Sequence, residues 1–337
     1  MKLIYKKGLE WQRPVLTEEK SYHLLKKFPL NNEVTYLAAP WSTLIDSLEF
    51  GDKQTKTKAS TYLKELDGLK LKNAFTVCQH EKFHQLLPFF KKIGVTTLFA
   101  SHMVEGGGFN TKDNYIKRST YPHYLKNIRI ETSFLHPVVV SPPFKKKDIL
   151  YSFVGSRGTR HISPIRNHIF EGPHSPDSVV IERNAWQFDA EVYQEQIQNT
   201  AITSVQKYIN NEKSLFYGQI LSRSRFSLCP SGTGPTSIRF LESLGAGAIP
   251  LIFSDSMMLP SFKGISWEDC SLKIAEKDYN NLTSILKDVS PKKEQELRLN
   301  GLRAAKRCTG EAFVDNIRSY YNDCTISSQA PPSRRHR

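Results

Sequence analysis

Five cysteines in 337 residues, none of them in a C-x-x-C pair, leave neither a disulfide framework nor a cysteine zinc cage. Long apolar runs are also missing. No stretch reaches the roughly 18 apolar residues of a spanning helix, and the N-terminus MKLIYKKGLEWQRP lacks the apolar core of a signal peptide. A cytoplasmic location is the expectation. Acidic residues are few, 33 against 47 basic, and the formal net charge of +14 implies phosphate-rich or anionic partners: nucleotides, anionic glycans, a membrane surface or nucleic acid. No helix-turn-helix, zinc-finger or aromatic-basic RNA-binding pattern supports the last of these. Basic runs such as FKKKD, 144–148, read as solvated surface, and APPSRRHR as the end of a disordered basic tail over 326–337.

What is present is an alternation of short apolar strands and amphipathic helical segments, the α/β pattern. Strands are expected over 33–39, 74–78 and 95–100 in the first half, and over 149–155, 178–182, 225–229 and 248–253 in the second. Pro and Lys interrupt the pattern near 138–148. The chain therefore divides into domains over 1–143 and 144–325, which suits a length greater than one core comfortably serves.

CQHEKFHQLL places His80, Glu81 and His84 as H-E-x-x-H, the spacing by which zinc peptidases present two ligands and a base. A zincin carries both histidines inside an established helix, whereas His80 here directly follows a strand. Leu87 stands where the extended pattern needs Gly, and no third ligand is evident. No metal is expected.

The block SRSRFSLCPSGTGPTSIRFLESLGAGAIPLIFSD, 222–255, is more informative. A strand over 225–229 runs into the turn PSGTG, and Pro235 suits the first position of a helix ending near Gly245. A helix N-terminus at a strand's carboxyl end, with Ser231, Thr233, Thr236 and Ser237 around it, makes a natural diphosphate site. Arg239 and Glu242, three apart on one face, can divide the recognition of a nucleotide-sugar between phosphate and ribose, or form a structural ion pair.

This block resembles the exostosin-like glycosyltransferases. The matching residues are Ser224-Arg225-Phe226, Leu228, Pro230 and Gly232, then Ser237, Arg239 and Glu242, then Gly247 and Pro250. YSFVGSRGTRHISPIRNHIF upstream is similar to the family's strand, glycine turn and I-R-x-x-[IL] element. That likeness adds Gly155 and Arg166 to the donor site. In the first half FTVCQHE is similar to a family strand ending in His-Asp, with Glu81 in place of Asp, and Lys112-Asp113 to a later Lys-Asp.

The resemblance implies a GT-B architecture of two Rossmann-like α/β/α domains facing a cleft, with acceptor in the first and nucleotide-sugar in the second. It implies metal-independent inverting transfer from a nucleotide-sugar, UDP favoured, to a hydroxyl of an oligosaccharide or glycolipid, in lipopolysaccharide, capsule or other surface-glycan synthesis. Candidate bases are His80 and Glu81, then Asp113 and His102. Asp46 is read as the partner of a nearby lysine. His80 has an alternative role in capping or packing, and His102 in shaping a loop. Lacking the membrane tether of animal members, the chain is expected to act in the cytoplasm, with peripheral contact at an anionic inner membrane. The alternative is a non-catalytic nucleotide-sugar or glycan-binding relative.

Overall fold

The computed structural model describes residues 1–13, 15–31, 33–104, 109–110, 115–116, 127–129, 146–158, 160–186, 188–260, 262, 264–308 and 311–329. Asp113, the boundary at 143/144 and the last eight residues of the tail lie outside them.

The first half runs β1 (Lys2–Tyr5), α1 (Thr17–Lys27), β2 (Thr35–Ala38), α2 (Trp41–Phe50), α3 (Lys53–Asp67), β3 (Ala74–Cys78), α4 (Leu87–Ile93) and β4 (Val95–Ala100), then β5 (Phe109–Asn110), β6 (Tyr115–Ile116) and β7 (Asn127–Arg129). β5 and β6 pair as a small antiparallel ribbon. The other five strands form a parallel sheet in the order β1-β2-β3-β4-β7. β3 is buried along its whole length, as expected of a parallel strand covered on both faces.

The second half runs β8 (Ile149–Ser156), α5 (Ile165–Glu171), β9 (Val179–Arg183), α6 (Ser204–Arg223), β10 (Ser224–Pro230), α7 (Ile238–Gly245), β11 (Ile249–Phe253), β12 (Leu272–Lys273), α8 (Leu282–Lys287), α9 (Pro291–Arg307) and α10 (Glu311–Gln329). Its parallel sheet has the order β12-β11-β10-β8-β9. From β8 the chain steps one way to β9 and then the other way to β10, so a switch point lies between β8 and β10. Ligands of open α/β sheets bind outside the carboxyl ends of the strands at such a point. The first sheet runs in sequence order and has no such reversal. Two facing parallel-sheet domains of this kind are the GT-B architecture.

The last helix corrects the domain assignment. Residues 311–325 were given to the second domain, but Phe313, Val314, Ile317, Tyr320 and Tyr321 of α10 pack on Leu25, Tyr36, Phe75 and Phe99 of the first. α2, α3 and α4 cover one face of that sheet, and α1 with α10 covers the other. Aromatic residues facing outward from β2, β3 and β4 require that cover. The helix also continues through 326–329, residues assigned to a disordered tail.

β1 and β7 were not anticipated. Both are sheet edges of three or four residues, too short for an alternating pattern. Lys147 corrects the reading of FKKKD as wholly solvated: its Nζ donates to the carbonyls of Ser222 and Ala246 at 2.6 and 3.0 Å, capping the ends of α6 and α7. Four cysteines, Cys78, Cys229, Cys270 and Cys308, are free and buried. No described helix is long and apolar enough to cross a membrane.

Candidate active site

The two domains meet where β4 ends. The Thr236 hydroxyl donates to the Ser101 carbonyl at 2.6 Å, Val104 bridges Met257, and the Met258 amide donates to the Met103 carbonyl at 3.4 Å. Gly234 lies against the first domain: a Cβ there would clash with His102 Nδ1 and stand 3.1 Å from Glu81 Cβ. The glycine-bearing loop after β10 is thereby placed beside the candidate bases. That proximity is what a group-transfer cleft requires.

On the second-domain side, the loop differs from expectation at the helix start. α7 begins at Ile238, not Pro235. The Pro235 carbonyl accepts the Ser254 hydroxyl at 2.9 Å and Thr236 is tied to Ser101, which holds both residues in the loop. Gly232, near the Arg166 guanidinium, bonds back to Gly234, the amide to its carbonyl at 3.0 Å. Ser231 is buried with a hydroxyl that has no partner, and Thr233 is exposed. Ser237 flanks the helix as its N-cap without a side-chain capping bond.

Arg166 donates through Nε to the Ser231 carbonyl at 2.8 Å and through Nη1 to the Ser156 carbonyl at 3.1 Å. Its guanidinium thus joins the ends of β8 and β10 across the switch point. Arg239 donates through Nη2 to the Val154 carbonyl at 2.5 Å, and its Nε is buried without a partner. Both guanidinium groups lie over Phe153, at 5.6 and 4.5 Å from the ring centre. Burial first, and repulsion from Arg239 second, depress the Arg166 pKa to about 9. Among the described residues neither arginine has a carboxylate within ion-pairing distance. Gly155, next to Phe153 at the end of β8, completes this corner.

Arg239 and Glu242 do not form the structural ion pair weighed from their spacing. Glu242 accepts the Tyr217 hydroxyl at 2.7 Å through Oε2, while its buried Oε1 has no partner. Burial raises its pKa, and Tyr217 and Arg239 only partly offset that. Tyr217, contributed by α6, went unnoticed in the sequence because it carries no motif.

On the first-domain side, the polar groups gather at the carboxyl ends of β3 and β4. Pro88 marks the first turn of α4, so the H-E-x-x-H residues lie upstream of that helix, in the turn and short 3-10 segment Phe83–Leu86. Its two histidines are therefore not stacked on one α-helical face. Among the described residues no group of three or more His, Cys, Asp or Glu side chains could hold a metal ion.

His80 Nε2 lies 3.2 Å from Asp46 Oδ1, and Asp46 Oδ2 accepts Gln12 Nε2 at 2.5 Å. Asp46 is therefore the partner of a histidine, correcting the lysine expectation. His80 Nδ1 accepts the Lys82 amide at 3.0 Å and lies 3.5 Å from Glu81 Oε2. It cannot serve both: the neutral ring accepts from Lys82, and the imidazolium donates to Glu81. Burial pulls the His80 pKa down, but Glu81, Asp46 and Glu18 outweigh it and raise it to about 9. At neutral pH the ring is protonated. Glu81 is opposed by burial, yet His80 and His102 hold its pKa below the ordinary carboxylate value, and its side chain is 25% exposed. Burial pushes His102 down to about 4, leaving it neutral with an unpartnered Nδ1 against Gly234.

The model of the Exostosin GT47 domain matches residues 95–289, more than half of the chain. The chain belongs to this family. Among its relatives, a probable glucuronosyltransferase of rice (Oryza sativa subsp. japonica) is 33% identical over 172 residues, covering 44% of this chain and 40% of that protein. An exostosin-1 homolog of Caenorhabditis elegans is 29% identical over 158 residues, covering 45% and 38%. The matched segments thus span about two fifths of these relatives. The Anabaena protein Alr3699/HepE, solved with UDP and glucose, aligns at 10% identity and a TM-score of 0.45, covering 97% of this chain and 100% of that one.

Proposed function

We infer that this exostosin-family chain is an inverting glycosyltransferase that moves a sugar from a nucleoside diphosphate, UDP by the family likeness, to a hydroxyl of a glycan. One observation carries the reading: Arg166 and Arg239 converge on Phe153 at the switch point, and among the described residues neither has a carboxylate within ion-pairing distance. A diphosphate supplies the missing charge, and bringing two cations together without it is unfavourable. The rice relative's name, a sugar transferase, agrees.

In this account the acceptor hydroxyl attacks the anomeric carbon from the face opposite the nucleotide. Its oxygen forms the new bond, its proton passes to the Glu81 carboxylate, and the bond to the phosphate oxygen breaks with its electron pair leaving on UDP. Arg166 and Arg239 stabilise that departing charge. His80, protonated and fixed by Asp46, keeps Glu81 ionised and is a positioning residue. No metal is assigned a role, so UDP affinity is expected to persist in EDTA.

The finer acceptor is a surface glycan such as lipopolysaccharide or capsule, met at the cytoplasmic face of an anionic membrane to which the +14 charge draws the chain. Binding to anionic vesicles that is lost at high salt supports this, and equal binding to neutral vesicles contradicts it. For the donor site, calorimetry with UDP is the test. Micromolar binding weakened by Arg166→Ala supports it, and binding insensitive to that change overturns it.

A further inference from the structure

The Asp46–His80 contact joins two separate segments, α2 and the turn after β3, and something must fix the distance between them. Glu18, on the first turn of α1, is 2% exposed and touches both. The Gln79 amide donates to its Oε1 at 3.0 Å, the Ser42 hydroxyl donates to the same oxygen at 3.0 Å, and the Ser42 amide donates to Oε2 at 3.3 Å. The bond to Gln79 is reciprocated, since the Glu18 amide donates to Gln79 Oε1 at 3.1 Å, and Gln79 Nε2 donates to the Val15 carbonyl at 3.1 Å. Gln79 precedes His80. Ser42 precedes Asp46 by four residues, one helical turn on the same face of α2.

We propose that Glu18 is a positioning residue for the base: one buried carboxylate that clamps the backbone carrying Asp46 to the backbone carrying His80 and Glu81, and so sets the contact that keeps Glu81 ionised. The proposal rests on the glycosyltransferase reading for its catalytic meaning, while the clamp itself is independent of it.

The geometry favours a clamp over mere packing. A carboxylate buried in an apolar core is costly, and here its acceptors are used by two backbone amides and a hydroxyl from the two segments in question. Its negative charge also faces His80 and is one of the groups that raise that ring's pKa. Burial itself pushes the Glu18 pKa up to about 7, against the hydrogen bonds from Gln79 and Ser42, so the carboxylate is ionised near pH 9, where the folded-state His80 titrates.

The test is Glu18→Gln, which keeps the shape but removes the charge and one acceptor. Histidine ring resonances followed by NMR from pH 6 to 10 are expected to show the His80 pKa lowered by about half a unit or more. Amide exchange at Gln79 is expected to accelerate about tenfold, from the loss of a charge-assisted bond. Affinity for UDP, held in the other domain, should stay within about twofold. Turnover of UDP-glucose, UDP-glucuronic acid or UDP-xylose, whichever the unaltered protein cleaves, should fall about tenfold with the donor KM unchanged. A folded Glu18→Gln protein with unaltered His80 titration and Gln79 exchange overturns the proposal. Should that variant not fold, Gln79→Ala removes the reciprocal bond and leaves the charge. Faster exchange at the Glu18 amide then supports the clamp, and unchanged exchange refutes it. Failure of the unaltered protein to bind UDP would strike the donor reading alone, because the titration and exchange results are read without any ligand.

Discussion

Replacing Glu81 by Gln isolates the charge that the account places at the reacting hydroxyl. Against burial, which lowers it, His80 is raised from 6.5 to about 9, and attraction to the Glu81 charge is the largest single effect that raises it. A shift of roughly 2.5 units is worth on the order of 3 kcal/mol of stability. Because the folded pKa lies above the unfolded one, that stability is full below about pH 6.5 and is lost as pH rises through about 9. Without the Glu81 charge part of it should go, so the variant should be less stable at pH 6, by on the order of 1 kcal/mol, and equal to the unaltered protein near pH 10. Glu81 itself titrates below this window, since its own pKa is lowered, and Glu18, raised to about 7, titrates within it in both proteins and so largely cancels in the difference. Urea denaturation followed by tryptophan fluorescence at pH 6, 8 and 10 measures it. Turnover should meanwhile fall by about 10²–10⁴ with UDP affinity unchanged, the usual scale for loss of a general base. A stability difference independent of pH, or turnover within threefold of the original, refutes the assignment.

Other perturbations follow from the same geometry. Arg166→Ala should weaken UDP binding by roughly 10- to 100-fold in calorimetry, as expected for a lost charge-assisted contact, with little effect on the His80 titration. Gly234→Val should lower turnover by an order of magnitude or more while the fold persists by circular dichroism, because its side chain would meet His102 and Glu81 at the domain seam. Phe313→Ala, removing a fully buried ring of α10 from the first sheet, should cost about 3–5 kcal/mol in denaturation. Lys147 is pushed down to about 7, chiefly by burial, so the unfolded chain binds its proton more tightly and the Lys147 contribution to stability should rise with pH between about 7 and 10.5. Lys147→Met should flatten that rise.

Sequence patterning located the buried strands closely: β3 and β4 fall on the expected residues, because strands covered on both faces are continuous apolar runs. The glycine-bearing loop after β10 was legible for a similar reason. Gly232, Gly234 and Pro235 constrain the backbone directly, and Arg239 and Glu242 share a short helix. What escaped depends on contacts distant in sequence. α10 looks like any amphipathic helix, and only the exposed aromatic face of the first sheet determines where it docks. Asp46 was matched to a nearby lysine because its true partner, His80, is 34 residues away. Glu18 and Tyr217 occupy unremarkable helical positions, and their importance comes from the buried carboxylate chemistry around them. The start of α7 was misplaced because Pro235 suits both a helix and a loop, and tertiary bonds from Ser254 and to Ser101 decide between the two.

The most direct test of the donor site is calorimetric titration with UDP, GDP, CMP and ADP, each with and without EDTA, of the unaltered protein and of Arg166→Ala. The account predicts that UDP binds best, that EDTA changes nothing, and that the arginine variant binds at least tenfold more weakly. Binding of no nucleotide, or binding abolished by EDTA and restored by a divalent metal, would contradict it.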